Sequence, residues 1–138
     1  MLKRNVLSAL VAVGVLIAAP AHADDGAASQ RVIADQIDAF KSGDHERAFS
    51  HAAPGIRSAF GSPDNFVGMV KRGYMPVFDP QQFSFGRYSE RGGTLYQEVL
   101  VTGPQGKEWV ALYTLRRHPD GSLRITGVRI AKSDGFAV

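Results

Sequence analysis

Hydrophobic and polar positions along the chain change their period once, near Pro80. Before this point apolar residues recur at helical spacing, with Ile33, Ile37 and Phe40 at i, i+4 and i+7, which predicts an amphipathic helix. After it, apolar and polar residues alternate, as in strands that bury one face. The pattern therefore predicts helices followed by a sheet.

Capping residues mark the ends of the predicted helices. Ser29 is placed to cap the first helix and Gly43 to end it. Asp44 can cap a short second helix, and Pro54 both ends that helix and can open a further helical turn. Ser62, followed by proline at the first helical position, begins a third helix.

The second half of the chain predicts four strands. They are Gln82–Arg91, Thr94–Thr102, Lys107–His118 and Ser122–Ala131. The short glycine-containing connections between them favour hairpins. We therefore expect an α+β fold in which three N-terminal helices pack on a curved four-stranded antiparallel meander sheet.

The hairpin lengths also predict the register. The Gly-Gly turn places Arg87 opposite Glu98 and Phe85 opposite Leu100. The Gly-Pro-Gln-Gly turn then places Leu100 opposite Trp109 and, two pairs further along, Glu98 opposite Ala111. The last turn places Leu115 opposite Ile125 and Leu112 opposite Val128. This register makes both sheet faces apolar, because the aromatic residues collect on one face and the aliphatic residues on the other.

Two apolar faces exceed what one layer of helices can cover. An antiparallel sheet usually buries one face and exposes the other to water, and monomers rarely expose large apolar patches. We therefore expect a homodimer that buries the second face, through the aromatic side that carries Trp109 and Phe85.

The N-terminus predicts export. Lys3 and Arg4 precede an apolar run from Val6 to Ala19, and an A-x-A motif ends at Ala23, as in a secretory signal peptide. The run is shorter than the roughly 20 residues needed to span a bilayer. We expect a signal peptide over residues 1–23, a flexible start over 24–28 and a single domain over 29–138, located in the periplasm or secreted, with no membrane attachment after cleavage.

Composition narrows the possible chemistry. Removal of Lys3 and Arg4 from the 16 basic residues leaves 14 against 13 acidic ones, a net charge of +1 that argues against nucleic-acid partners. The absence of cysteine excludes disulfides and zinc–thiolate sites. The histidines lack metal-ligand or triad spacing, so we expect neither a metal nor a cofactor.

Three segments of the sequence carry a resemblance to known proteins. The segment FKSGDHERAF resembles the helix link of the nuclear transport factor 2-like superfamily, which has a cone-shaped fold. AFSHAAPGIRSAFGSPDNFVGMVKRGYMPVF and YQEVLVTGPQGKEWVALYTLRRHPDGSLRITGVRI resemble a bacterial family described as domain of unknown function 4864. The resemblance covers Arg31 to Ile130 and implies a cone that is often dimeric, without an assigned activity.

The wider superfamily contains isomerases, hydrolases, small-molecule binders and scaffolds, and its enzymes place an acid or base inside the cone. Glu98 is the candidate general base, beside Tyr96, Tyr113 and Trp109. Arg87, opposite Glu98 in the predicted register, instead favours a structural ion pair.

The residues together favour a non-catalytic domain that binds a small apolar or amphipathic ligand, or a protein partner. The candidate ligand-binding residues are Tyr74, Tyr96, Gln97, Glu98, Trp109 and Tyr113. One alternative is an isomerase- or hydrolase-like enzyme with Glu98 as general base in the cone pocket. Another is a protein-interaction module that uses the aromatic sheet face.

Overall fold

The computed structural model describes residues 11–15 and 24–133. Its elements are α1 (Asp25–Ser42), α2 (His45–Ser50), α3 (Pro54–Phe60), α4 (Pro63–Gly73), α5 (Met75–Phe78), β1 (Gln82–Arg91), β2 (Thr94–Thr102), β3 (Glu108–Arg117) and β4 (Leu123–Lys132). Most of the predicted signal peptide lies outside the described residues. Within those residues, no helix has the length and apolar character that crossing a membrane requires.

Helix α1 begins at Asp25, four residues before the predicted cap at Ser29, so residues 25–28 of the predicted flexible start are helical. Asp25 is 3% exposed, and its carboxylate accepts a hydrogen bond from Arg117 Nη2 at 2.7 Å. This ion pair fixes the first turn of α1 against the end of β3. The helix ends at Gly43 as predicted, where φ is 71° and glycine avoids the steric cost of the left-handed region.

The short helices follow the predicted caps. Asp44 accepts the Arg47 backbone N–H at 3.1 Å at the start of α2, and Ser62 accepts the Asn65 backbone N–H at 3.2 Å at the start of α4. The helical turn expected after Pro54 is α3. Helix α5 was not predicted, because four residues are too few to show a helical period.

The strands form one antiparallel sheet in the order β1-β2-β3-β4. This meander, preceded by helices, confirms the predicted α+β fold. The bounds of β1 and β2 agree with the prediction, and those of β3 and β4 differ by one residue at each end.

The register differs from the prediction in both hairpins that involve β2. A bulge after Phe85 pairs this residue with Val99 rather than Leu100. The β2–β3 loop has one residue more than predicted, because the Gly103 N–H donates to the Lys107 carbonyl and β3 starts after Lys107. The extra residue is accommodated by a turn in which Gly106 has a φ of 79°.

The longer loop changes the pairing of β2 with β3. Trp109 pairs with Val101 rather than Leu100, and Glu98 pairs with Leu112 rather than Ala111. The predicted Leu115–Ile125 pair is confirmed, but a second bulge in the β3–β4 pairing, between Thr114 and Leu115, places Arg129 rather than Val128 opposite Leu112.

A shift of one residue moves a side chain to the opposite face of a sheet. The prediction of which residues share each face of the sheet is therefore wrong. The inner face, which packs toward the helices, carries Phe83, Phe85, Tyr88, Leu95, Gln97, Val99, Val101, Trp109, Ala111, Tyr113, Leu115, Ile125, Val128 and Ile130. The outer face carries Tyr96, Glu98, Leu100, Val110, Leu112 and Arg129.

The helices cover the inner face with an aromatic cluster centred on Phe66. Its ring lies 5.6 Å from Phe49 and 6.1 Å from both Phe40 and Phe60, measured between centroids. The link between α2 and α3 is fixed to β4, since Ile125 exchanges backbone hydrogen bonds with His51 and Ala53. The helices and β4 consequently form one wall of the cone.

Candidate ligand cavity

A cavity of about 240 Å³ lies between the helices and the β3–β4 side of the inner face. It is lined by Gln36, Phe40, Ala52, Ile56, Phe60, Phe66, Met69, Val70, Tyr74, Val77, Tyr113, Ile125, Gly127 and Val128. The half-buried side chains of Ile56, Phe60, Met69 and Tyr74 mark the side on which it meets solvent. For comparison, an apolar cavity of about 150 Å³ in another protein binds benzene.

Local sequence explains the position of the cavity wall. Helix α1 presents Ile33, Gln36, Ile37 and Phe40 on one buried stripe, spaced as one face of a helix requires. Helix α4 buries Phe66 and Val70 at i and i+4, on a short segment held by its Ser62 cap. The cavity lies between these two stripes and the sheet, and the short helices α3 and α5 contribute Ile56, Phe60 and Val77 to its wall.

Two buried polar side chains belong to this wall. Gln36 is 3% exposed, and its Nε2 donates to the Ala48 carbonyl at 3.0 Å, so this amide ties α1 to α2. Tyr113 is fully buried, and its hydroxyl has no protein hydrogen-bond partner among the described residues. Burial raises the pKa of this hydroxyl above its ordinary value of 10.0, so the group stays protonated at neutral pH and can donate a hydrogen bond.

The structure brings two of the six predicted ligand residues to this cavity. Tyr74 and Tyr113 line it, one half-buried and one fully buried. Trp109 lies in a separate depression, where Lys132 Nζ is 6.0 Å from the centroid of its ring and Gly103 lies against its indole. None of the residues that line this depression also lines the main cavity.

Gln97 and Glu98 serve the bulge in β1. Gln97 is fully buried on the inner face, and its Nε2 donates to the carbonyls of Glu98, Gly86 and Arg87 at 2.8, 3.3 and 3.4 Å. Its Oε1 accepts from Gln30 Nε2 at 3.4 Å. A bulge leaves backbone groups without ladder partners, and here one buried amide lies within hydrogen-bonding distance of two bulge carbonyls on the inner side.

Glu98 supports the same bulge from the outer side. Its Oε2 accepts the Arg87 backbone N–H at 3.3 Å, whereas no ion pair joins Glu98 to the Arg87 guanidinium within the part of the chain that the structure describes. The predicted Arg87–Glu98 ion pair is therefore wrong, because the bulge presents the Arg87 backbone rather than its side chain. Glu98 and Tyr96 lie on the outer face, so a Glu98 base in the cone pocket is also wrong.

The residues that sequence reasoning missed are mainly those of the helical wall. Gln36 carried a signal: it is a polar side chain within the apolar stripe of α1, and such an exception often marks a buried contact. Ile56 and Met69 carried none, since single apolar residues on short helices are common in any core.

A second polar cluster ties α1 to α2 outside the cavity. Arg47 contacts Asp35 at 3.1 Å and Asp38 at 2.9 Å, and His51 Nε2 lies 2.6 Å from the other Asp35 oxygen. Both aspartates stay partly exposed, with 42% of the Asp35 side chain and 69% of the Asp38 side chain accessible to solvent. Across residues 11–15 and 24–133, no group of three or more acidic or histidine side chains is arranged to hold a metal ion.

Residues 22–138 match the family described as Domain of unknown function (DUF4864). The chain belongs to this family. The match covers every residue of the DUF4864 chain described from α1 to β4 and confirms the resemblance found in the sequence.

Two solved structures are similar in fold to this DUF4864 chain. One is an NTF2-like protein of unknown function from Silicibacter pomeroyi, with 20% identity, a TM-score of 0.53 and coverage of 78% of this chain and 97% of that chain. The other is the designed protein Rd1NTF2_05, with 17% identity, a TM-score of 0.53 and coverage of 78% and 100%. At these identities the likeness establishes the NTF2-like cone fold alone. No curated protein matches the chain.

Proposed function

We propose that this domain binds a small apolar or amphipathic molecule in the cavity between α1, α3, α4 and the sheet, without catalysing a reaction. The observation that carries the proposal is the cavity of about 240 Å³ whose wall is formed almost wholly by apolar side chains. Ligand sites are usually concave and apolar with few polar groups. The one candidate base named from sequence, Glu98, lies on the opposite face of the sheet.

Naphthalene is a suitable first probe because it is neutral, rigid and larger than benzene. We expect saturable one-to-one binding by titration calorimetry. Met69→Trp places a larger side chain at the cavity wall and should abolish binding, whereas Lys71→Trp, at an exposed position of the same helix, should not. Naphthalene that fails to bind the wild type, or that binds Met69→Trp equally well, would contradict the proposed site.

Export is the second part of the proposal. The basic start, apolar run and A-x-A motif support cleavage after Ala23 and a periplasmic or secreted location. Intact-mass measurement after expression in a bacterial host should give a chain that begins at Asp24. A chain that retains residues 1–23 in the membrane fraction would argue against this location.

The third part is a homodimer formed by the outer face. The apolar centre of this face is Leu100, which is 44% exposed, with the half-buried Val110 and Leu112 beside it. Glu98 on β2 and Arg129 on β4 both pair with Leu112 on β3, so the three residues form one row across the sheet. The spacing between strands puts the two charged positions of this row about 10 Å apart.

The charges on this row favour a second copy as the partner. In a face-to-face packing, a two-fold axis parallel to β3 exchanges the two sides of each row. Glu98 of one protomer then lies against Arg129 of the other, twice per dimer, while the apolar centre packs on itself. An acidic or basic protein would be repelled by one of the two charges.

Sedimentation velocity at micromolar concentration tests this arrangement. Arg129→Glu should shift the wild-type dimer toward monomer because two acidic pairs would then face each other, and adding Glu98→Arg should restore the dimer. Glu46→Arg, at an exposed position on α2, serves as control. A monomeric wild type would contradict the homodimer, and a dimer insensitive to Arg129→Glu would contradict this interface.

A further inference from the structure

The described residues of the cavity wall carry no charged side chain. Its lining residues, all within the described part of the chain, include apolar side chains, one glutamine and two tyrosines but no Asp, Glu, Lys, Arg or His. Transferring an ion into such a site without a counter-charge is far more costly than transferring a neutral group. A carboxylate or ammonium ligand would lose its hydration without compensation, so the wall favours neutral molecules.

Among its fully buried side chains, the wall also offers one hydroxyl without a described partner, that of Tyr113. Gln36 Nε2 is engaged by the Ala48 carbonyl, but the buried Tyr113 hydroxyl donates to no described protein group. Buried hydroxyls are normally hydrogen-bonded, and an unpaired one is a specific feature that requires an explanation. Because Tyr113 lines a ligand-sized cavity, a ligand that supplies the acceptor would provide such an explanation.

We propose that the cavity selects small neutral molecules that carry a hydrogen-bond acceptor, such as a ketone or ether oxygen, which accepts the hydrogen bond donated by Tyr113. The inference rests on the proposed function, because it names the ligand class of the same cavity. The volume of about 240 Å³ suits a molecule larger than one aromatic ring. Phe40, Phe60 and Phe66 provide aromatic surface on the helical side.

Three naphthalene derivatives separate the contributions of shape, acceptor and charge. The first is 2-acetonaphthone, which carries a ketone acceptor. The second is 2-isopropylnaphthalene, which has nearly the same shape without an acceptor, and the third is 2-naphthoate, which is charged. Each is titrated into the wild type, Tyr113→Phe and the control Tyr96→Phe, which removes a hydroxyl from the outer face.

A single neutral hydrogen bond should make the wild type bind the ketone about 3- to 10-fold more tightly than the hydrocarbon. This preference should vanish in Tyr113→Phe and persist in Tyr96→Phe. We expect 2-naphthoate to bind at least about 100-fold more weakly than the ketone. Circular dichroism verifies that each variant is folded.

The outcomes distinguish the inference from the function on which it rests. Equal affinity for ketone and hydrocarbon, a ketone preference that survives Tyr113→Phe, or tight binding of 2-naphthoate would overturn the ligand class while leaving an apolar binding site intact. Binding of none of the three probes would overturn the proposed function itself.

Discussion

Tyr113→Phe should stabilise the ligand-free protein. Tyr113 is fully buried, and its hydroxyl has no protein partner among the described residues. A buried polar group without a partner costs about 1–3 kcal/mol. Phenylalanine keeps the ring and its packing, so we expect the free energy of unfolding to rise by about 1–2 kcal/mol.

Urea unfolding measures this change directly. Trp109 is the one tryptophan of the chain, so its fluorescence reports on the sheet without ambiguity. The protein is refolded from denaturant beforehand to remove any retained ligand. The midpoint should rise with an unchanged slope, the signature of a change in stability alone. Tyr96→Phe, with the same atoms removed from a half-buried site on the outer face, should alter stability by less than about 0.5 kcal/mol.

A loss of about 1 kcal/mol or more in Tyr113→Phe would refute this reasoning. Such a loss would mean that the hydroxyl is satisfied in solution, for instance by water inside the cavity. The Tyr113 side chain would then be part of a hydrated network, and ligand binding would have to displace that water to gain the hydrogen bond.

Three further predictions concern the bulge and the β3–β4 turn. Gln97→Leu should reduce the free energy of unfolding by about 1–3 kcal/mol in urea titration, since it leaves bulge carbonyls unpaired in the core; an unchanged midpoint would contradict this role. Glu98→Ala should lower the free energy of unfolding by about 0.5–1.5 kcal/mol, but Arg87→Ala should lower it by less than about 0.5 kcal/mol, because the carboxylate contacts the Arg87 backbone and not its side chain. A larger loss in Arg87→Ala than in Glu98→Ala would instead support the predicted ion pair. The Ser122 hydroxyl and backbone N–H lower the pKa of Asp120 from its ordinary value of 3.8. That interaction stabilises the turn above this value and is lost as pH falls through the lower, folded-state pKa. Ser122→Ala should raise the Asp120 pKa in an NMR titration, and an unchanged pKa would exclude the hydroxyl as the cause.

The elements of this fold were predictable from sequence because each carries a local signal. Caps such as Ser62 and stops such as Gly43 act within a few residues, and period-two alternation identified the strands. The sheet faces were not predictable, because they depend on whether a loop holds four or five residues. Gly106 in the left-handed region absorbs the extra residue, and nothing in the adjoining strands reveals it.

The cavity was partly predictable, and the reason for the errors is physical. Tyr74 and Tyr113 were among the candidates named from sequence, and both line the cavity. Gln97 and Glu98 drew attention as polar residues in apolar strands, yet both satisfy backbone groups of a bulge. A bulge forms only when two strands pair. The polar side chains that bond to its backbone groups therefore resemble functional residues when only the sequence is considered.

The Asp25–Arg117 ion pair has a consequence for the order of folding. It joins residues 92 positions apart, whereas the sheet contains only pairings between consecutive strands. Hairpins close short loops at low entropic cost, but this contact must wait until most of the chain is in place. We therefore expect Asp25→Ala to accelerate unfolding with little effect on the refolding rate in stopped-flow measurements. Helix α1 is synthesised before the other helices and strands of the domain, yet its first turn would be the last to be fixed by a tertiary contact.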